Sequence, residues 1–324
     1  MASSGPRMRP VSTARAAGSR WALLLWFGGA CGVDPVASAG PDPAEVDLVD
    51  VVAGDEHSCA LNRDGRAWCW GRGKAGRTNA TETVTSIAAG AYHTCGLAEG
   101  GRPYCWGQRY WSTPADSGLV ELCAGRDFAC GRDEAGAVRC WGGSHEPGPP
   151  KAPFAVPVQR LVCGSYGVCG LDRDGEVVCW HAEFSEGFTP VPASVVEFDV
   201  GSHACGVTGS GELVCWAADD DDPEANPPPG EFSTVGVGYR FSCALTLAGA
   251  VRCWGEDPWA VLDAPPGRFT RLAVGRSHAC ALREDGRVLC WGQSQDCVWH
   301  GELLEDCAEI PSSIGEVFAT ASFP

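Results

Sequence analysis

Seven times along this chain, two cysteines stand ten residues apart and a tryptophan follows the second. The pairs are Cys59/Cys69, Cys95/Cys105, Cys130/Cys140, Cys169/Cys179, Cys205/Cys215, Cys243/Cys253 and Cys280/Cys290; the tryptophans are Trp70, Trp106, Trp141, Trp180, Trp216, Trp254 and Trp291. A glycine precedes each first cysteine by five residues, or by four in the fifth copy: Gly54, Gly90, Gly125, Gly164, Gly201, Gly238 and Gly275. These glycines are 36, 35, 39, 37, 37 and 37 residues apart, so the chain is an array of units of one size.

The spacing inside a unit dictates its local shape. Glycine occupies one place between the cysteines in all seven copies: Gly65, Gly101, Gly136, Gly175, Gly211, Gly249 and Gly286. In the first copy it closes Arg63-Asp64-Gly65, a three-residue hairpin loop whose third residue must be left-handed, which glycine adopts without steric cost. That loop pairs Asn62 with Arg66, Leu61 with Ala67 and Cys59 with Cys69. Directly opposed residues lie about 4.5–5.5 Å apart at Cα, so a disulfide is expected across every hairpin.

Alternation along the strands then gives two unlike faces. The residue after each first cysteine is tiny (Ala60, Gly96, Gly131, Gly170, Gly206, Ala244, Ala281), and the one opposite each tryptophan is modest (Ser58, Thr94, Ala129, Val168, Ala204, Ser242, Ala279). One face offers an indole over small side chains and the other a disulfide, so units can stack indole to disulfide with both faces buried. The expected fold is all-β: a seven-bladed β-propeller of about 37-residue repeats over 46–324, with repeat cores near 51–71, 87–107, 122–142, 161–181, 198–217, 235–255 and 272–292. Residues 314–320 (IGEVFAT) resemble the segment before each repeat glycine and are expected to supply a closing strand; an open solenoid is the alternative.

Five cysteines fall outside the hairpins. Cys123 and Cys163 precede their glycines by two and by one residues, so they point to opposite faces of equivalent strands and suit a bond between neighbouring blades. Cys297 and Cys307 are expected to close a loop after the last blade. Residues 1–30 read as a secretory signal, with Arg7, Arg9, Arg15 and Arg20 before the apolar WALLLWF, and Cys31 follows small residues as a lipid-accepting cysteine would. The Pro/Ala-rich stretch 31–45 reads as a tether. Nineteen cysteines behind such a signal imply disulfides in an oxidising compartment, so the chain is expected outside the cytoplasm, as a secreted protein or a periplasmic or outer-surface lipoprotein. A formal charge of −17 disfavours nucleic acid and anionic membranes, leaving a lipid as the expected membrane contact.

The phrase shared by His57–Gly71 (HSCALNRDGRAWCWG) and His278–Gly292 (HACALREDGRVLCWG) resembles the regulator of chromosome condensation repeat, in the cysteine-rich form of exported bacterial proteins. The resemblance covers 46–324 and implies a seven-bladed propeller. It implies no single function, since relatives of that fold include a nuclear exchange factor, a plant light receptor and the secreted β-lactamase inhibitory protein II, whose loop face grips a protein.

Candidate sites follow from what the repeat leaves variable. His57, His93, His203 and His278 stand two before the first cysteine, where other copies hold Phe128, Gly167 and Phe241; apolar replacements favour packing or hydrogen bonding over a metal ring. Asp219–Asp222 with Pro223 and Glu224 lacks the spaced carboxylates of a calcium loop and reads as a solvated connection. The segments after each tryptophan vary, and their aromatics suit a binding rim: Tyr110, Trp111, Phe154, Phe184, Phe188, Trp259 and Trp299, with His300 beside the last. Nucleophile-elbow, zinc-protease and phosphate-loop motifs do not occur. The reading is a monomeric, cofactor-free binding or scaffold propeller that engages a protein or glycan by one rim. A glycan hydrolase or lyase with its site in the central channel, and a purely structural envelope protein, are the alternatives.

Overall fold

The computed structural model describes residues 47–293, apart from 73, 76–77, 108–112, 116–117, 143–156, 166, 182–193, 217–222 and 258–259, together with 298–299, 302–303 and 307–308. Seven antiparallel sheets follow one another along the chain, each built from three consecutive strands. Blade 1 consists of Leu48–Ala53, His57–Asn62 and Ala67–Arg72, and blade 2 of Ser86–Ala89, His93–Ala98 and Arg102–Gly107. Blade 3 consists of Leu119–Ala124, Phe128–Asp133 and Val138–Gly142, and blade 4 of Arg160–Cys163, Gly167–Leu171 and Val177–His181. Blade 5 holds Val195–Val200, Ala204–Thr208 and Leu213–Trp216, and blade 6 Phe232–Val237, Phe241–Thr246 and Val251–Gly255. Blade 7 holds Phe269–Val274, His278–Arg283 and Val288–Gly292. This is the seven-bladed propeller that the repeats imply.

Each hairpin has the register that its glycine turn requires. In blade 1, Leu61 faces Ala67 and Cys59 faces Cys69. The turn is closed by Asn62 N–H donating to the Arg66 carbonyl at 3.0 Å, with Gly65 at φ +82°. Counted outward from that bond, the cysteines fall on a non-hydrogen-bonded pair, the site of closest strand approach. A disulfide spans every hairpin, joining Cys59 to Cys69, Cys95 to Cys105, Cys130 to Cys140, Cys169 to Cys179, Cys205 to Cys215, Cys243 to Cys253 and Cys280 to Cys290. The Cα atoms of these pairs are 4.0–4.1 Å apart. That is tighter than the 4.5–5.5 Å expected from strand geometry, because the bridge draws the close pair together. Cys123 of blade 3 and Cys163 of blade 4 also form a disulfide, with Cα atoms 5.4 Å apart.

Stacking between blades uses the two unlike faces. Trp106 of blade 2 covers Cys59, Cys69 and Leu61 of blade 1, its indole N–H 3.4 Å from Cys69 Sγ. Trp141 packs with Cys95, Trp180 with Cys130, Trp216 with Cys169, Trp254 with Cys205 and Trp291 with Cys243 in the same sense. Trp70 of blade 1 packs with Cys280 and Cys290 of blade 7, so the ring closes. Burying one indole stabilises by roughly 4–6 kcal/mol before the cost of ordering it, so each blade depends on its neighbour.

The expectation that both faces are buried needs one correction, at the outer half of the bridges. The first cysteine of every pair sits on the middle strand and is buried. The second, on the third strand, is buried as Cys69 and Cys290, whereas Cys105, Cys140, Cys179, Cys215 and Cys253 are only half-buried. The difference lies in the neighbouring blade, two residues before its tryptophan. There Tyr104 packs into the cluster holding Cys69, and Trp68 into the one holding Cys290. The same position facing the other five bridges holds Arg139, Val178, Val214, Arg252 and Leu289, side chains without a second aromatic ring to spread over the sulfur.

The repeat glycines explain themselves at the hub. A Cβ on Gly54 would lie 2.1 Å from the Gly90 carbonyl oxygen, one on Gly90 2.2 Å from that of Gly125, and one on Gly275 2.3 Å from that of Gly54. Only a residue without a side chain lets inner turns approach so closely. Backbone bonds cross the same junctions, as from Arg276 N–H to the Gly54 carbonyl.

Several expectations meet the edge of what is described. Residues 314–320, Cys297 and the segment 1–45, with Cys31, lie outside the described residues. The fourth strand that pairs with the outer edge of blade 1 is Cys307–Ala308, opposite Arg72 and Gly71. The solvated reading of Asp219–Glu224 needs correcting at its end. Pro223–Ala225 forms a short 3-10 turn whose Glu224 is buried, because its carbonyl receives the Trp254 indole N–H at 3.1 Å.

Candidate functional site at the channel mouth

All seven inner turns converge on one opening at the axis, a cavity of about 510 Å³. Its wall is largely backbone, since the repeat glycines line it. The residue after each glycine therefore decides its chemistry: Asp55, Ala91, Arg126, Ser165, Ser202, Tyr239 and Arg276, one per blade.

Five of the residues in these turns form an arc over blades 6, 7, 1, 2 and 3. The Arg276 guanidinium lies over the Tyr239 ring at 5.1 Å and 3.9 Å from the Asp55 carboxylate. Arg126 lies over Tyr92 at 5.9 Å, with a 3.5 Å contact to the phenol oxygen. Tyr239 is 44% exposed. Burial pushes the Asp55 carboxyl up, and Arg276 and Arg126 oppose that shift. A guanidinium over an aromatic ring is attracted by the ring's π face, and such pairs are common where proteins recognise partners. Across the cavity the corresponding positions hold Ser165 and Ser202. There the Asp199 carboxylate accepts from Val237 N–H at 2.8 Å, and burial pushes its pKa up to about 6.

Beneath the mouth lies a layer of imidazoles. His278 Nε2 meets Ser58 Oγ of the next blade at 2.8 Å, His57 Nε2 meets Thr94 Oγ1 at 2.7 Å and His203 Nε2 meets Ser242 Oγ at 2.7 Å. The hydroxyls touch sulfur as well: Thr94 lies 3.3 Å from Cys59 Sγ and Ser58 3.4 Å from Cys280 Sγ. Where histidine gives way to Phe128 or Phe241, the facing residue is Val168 or Ala279. Among the described residues, no three histidine, cysteine, aspartate or glutamate side chains converge as metal ligands.

The aromatics expected to form the rim fall elsewhere. Tyr110, Trp111, Phe154, Phe184, Phe188, Trp259 and His300 lie outside the described residues, and Trp299 is placed only as backbone in a two-residue strand paired with Glu302. The arc residues belong to no sequence motif, because they sit in turns. Their signal is positional: each follows a repeat glycine by one residue, or by two for Tyr92.

Three segments, 48–77, 84–108 and 269–296, match the Regulator of chromosome condensation (RCC1) repeat. The matched segments are blades 1, 2 and 7, which adjoin around the ring and hold the unbroken row His278, His57 and His93. Among characterised proteins, none matches the chain by sequence. Solved structures of similar fold include the CRINKLY WD40 ectodomain of the Arabidopsis thaliana receptor kinase ACR4, at 20% identity and TM-score 0.61, covering 76% of this chain and 98% of that one. The entire ectodomain of the Physcomitrella patens receptor kinase CR4 aligns at 21% identity and TM-score 0.62 over 76% and 73% of the two chains. Human WBSCR16 aligns at 13% and 0.60 over 74% and 88%. At these identities the chain shares a fold with them and nothing further follows.

Proposed function

We propose that this propeller is an exported, non-catalytic binding protein that engages a protein or glycan through the rim carrying its glycine turns. The observation that carries the reading is the Tyr239–Arg276–Asp55–Tyr92–Arg126 arc, which places two arginines on tyrosine faces around an open cavity. Tyrosine and arginine lead among residues that dominate binding energy, and a frame braced by hairpin disulfides holds them without a large ordering cost. The same disulfides are consistent with an oxidising compartment. On this reading the chain is made with a signal over 1–30, is tethered through a lipid on Cys31, and works as a monomer.

The test uses the mature, oxidised protein, immobilised and exposed to a glycan panel and to envelope proteins, beside a variant with Tyr92, Arg126, Tyr239 and Arg276 changed to alanine. Retention of a defined species that the variant weakens by 100-fold or more supports the reading, at about 1–2 kcal/mol for each important side chain. Retention that the variant leaves unchanged removes the mouth from the function. Release of product from any glycan would replace binding with hydrolysis or lyase chemistry in the channel.

A further inference from the structure

The row His278, His57 and His93 runs through three successive blades without entering the mouth, so its role is separate from what the mouth binds. Each ring is almost wholly buried. His57 has one polar partner for two ring nitrogens: Nε2 meets Thr94, whereas Nδ1 has no hydrogen-bond partner among the described residues. Nδ1 sits under the inner turn, where a Cβ on Gly54 would approach it to 3.1 Å. A neutral imidazole tolerates this arrangement. An imidazolium does not, because both nitrogens then carry hydrogens and the site offers one acceptor.

The surroundings offer the cation no compensation. The charged groups in the adjoining turns are Asp55 and Glu56 in blade 1, Arg126 and Asp127 in blade 3, and Arg276 in blade 7. Asp55 is already engaged by Arg276. The titratable neighbours that His57 feels are His93 and His278, which would repel a proton on it. His93 is in contact with the Phe128 backbone, and His278 with the Ser58 hydroxyl. Burial accordingly holds His57 and His93 down to about 3 and His278 down to about 4.

We propose that this imidazole row is an acid-sensitive latch that opens the wheel at the junctions of blade 7 with blade 1, of blade 1 with blade 2 and of blade 2 with blade 3. The step is one proton from solvent onto each ring as its junction separates. Each hairpin disulfide keeps two strands of its blade joined, but a blade parted from its neighbour loses the burial it depends on, so its strand amides open to exchange. The sign follows from linkage. The closed state holds these rings neutral and the open state lets them titrate near 6.5, so closure is fully stable above that pH and weakens as pH falls toward 3 to 4. Each imidazole favours the open junction about tenfold per pH unit within that window.

The repeat supplies its own non-titrating replacements, Phe128 against Val168 and Phe241 against Ala279. Hydrogen exchange of the disulfide-intact mature chain at pH 7.5 and 4.5, corrected for intrinsic rates, reads the latch directly. Strands 48–62, 86–98 and 269–283 should lose protection at least 100-fold more than blade 4, whose junctions contain no such histidine. The paired changes His57→Phe with Thr94→Val, and His278→Phe with Ser58→Ala, should abolish that difference in strands 48–62 and 269–283, whereas blade 2, which keeps His93, should retain part of it. Equal loss of protection in all blades of the unaltered chain, or an acid response unchanged in the paired variants, would overturn the proposal. Should the variants fail to fold, the exchange map of the unaltered chain decides alone.

Discussion

Two junctions on opposite sides of the wheel are built from the same repeat and hold by different means. Where blade 7 meets blade 1, the Gly275 and Gly54 turns approach to backbone contact, His278 binds Ser58 and Arg276 pairs with Asp55. Where blade 4 meets blade 5, a Cβ on Gly164 would find nothing nearer than 3.4 Å, and Gly167 stands where the others carry histidine or phenylalanine. Even the cross-strand pair is reversed there: Gly167 faces His181, whereas His57 faces Gly71 and His278 faces Gly292. In compensation, Arg160 reaches Glu197 of blade 5 at 2.5 Å, and the Cys123–Cys163 bond secures the other side of blade 4. A repeat fold can thus give up close backbone packing at one junction if charge and covalent bonding are supplied nearby.

The largest expected contrast comes from one added methyl group. Gly54→Ala would set a Cβ against a backbone oxygen that cannot step aside, so a loss of about 3–5 kcal/mol, or failure to fold, is expected. Gly164→Ala meets ordinary van der Waals spacing and should change stability by less than about 1 kcal/mol, since it also restricts the unfolded chain. Urea midpoints of the oxidised mature domain measure both. Equal effects would show that the two junctions are not differently packed.

Next comes the covalent contrast. The Cys123–Cys163 bond closes a separation of 40 residues and Cys59–Cys69 one of 10, so in the loop-entropy account the first restrains the unfolded chain more. Changing Cys123 and Cys163 together to alanine should cost about 4 kcal/mol, roughly 1 kcal/mol more than the same change at Cys59 and Cys69. A smaller cost for the longer loop would mean that blade 4 is held chiefly by its packing.

These contrasts also show what a sequence can and cannot reveal here. Blade geometry was legible because it is local: a ten-residue cysteine interval and a left-handed glycine fix a hairpin before any neighbour is considered. Blade stacking was legible because indole and disulfide faces alternate in every copy. How completely each bridge is covered was not, because Cys69 and Cys290 owe their burial to Tyr104 and Trp68 of the next blade. The partners of the histidines were hidden for the same reason, since each lies a whole repeat away. Aligning His57 with Thr94, His203 with Ser242 and His278 with Ser58 requires knowing that consecutive copies are neighbours and that the last meets the first. The mouth was harder still, since Asp55, Arg126 and Arg276 look like turn residues until a ring gathers them.

A third test concerns Asp199, which looks across the cavity at the tight junction. Burial holds its carboxyl up to about 6, above an unfolded value near 3.8, so the folded state takes up a proton as pH falls through 6. Its charge therefore destabilises the fold above pH 6, and that cost is relieved on the way down to 4, opposite in sign to the histidines. Asp199→Asn keeps an oxygen for Val237 N–H and should stabilise by roughly 1–2 kcal/mol at pH 8, with no gain at pH 4. Thermal midpoints at the two pH values check this, and a pH-independent gain would assign the effect to something other than charge.

The smallest effect is the most discriminating. If the junction of blades 4 and 5 lacks only its side chains, the tight form can be transplanted by Gly167→His, His181→Gly and Ala204→Ser together, recreating the pairing of His278 with Gly292 and Ser58. One buried hydrogen bond should add about 1 kcal/mol at pH 8. More telling, the variant should acquire an acid slope that its parent lacks in blade 4, because a new imidazole would be neutral when closed and protonated when open. Added stability without that slope would mean that the ring merely fills space. A loss of stability would mean that the backbone gap at Gly164 is too wide for the imidazole to reach its hydroxyl, and that the two junctions differ in the course of the main chain.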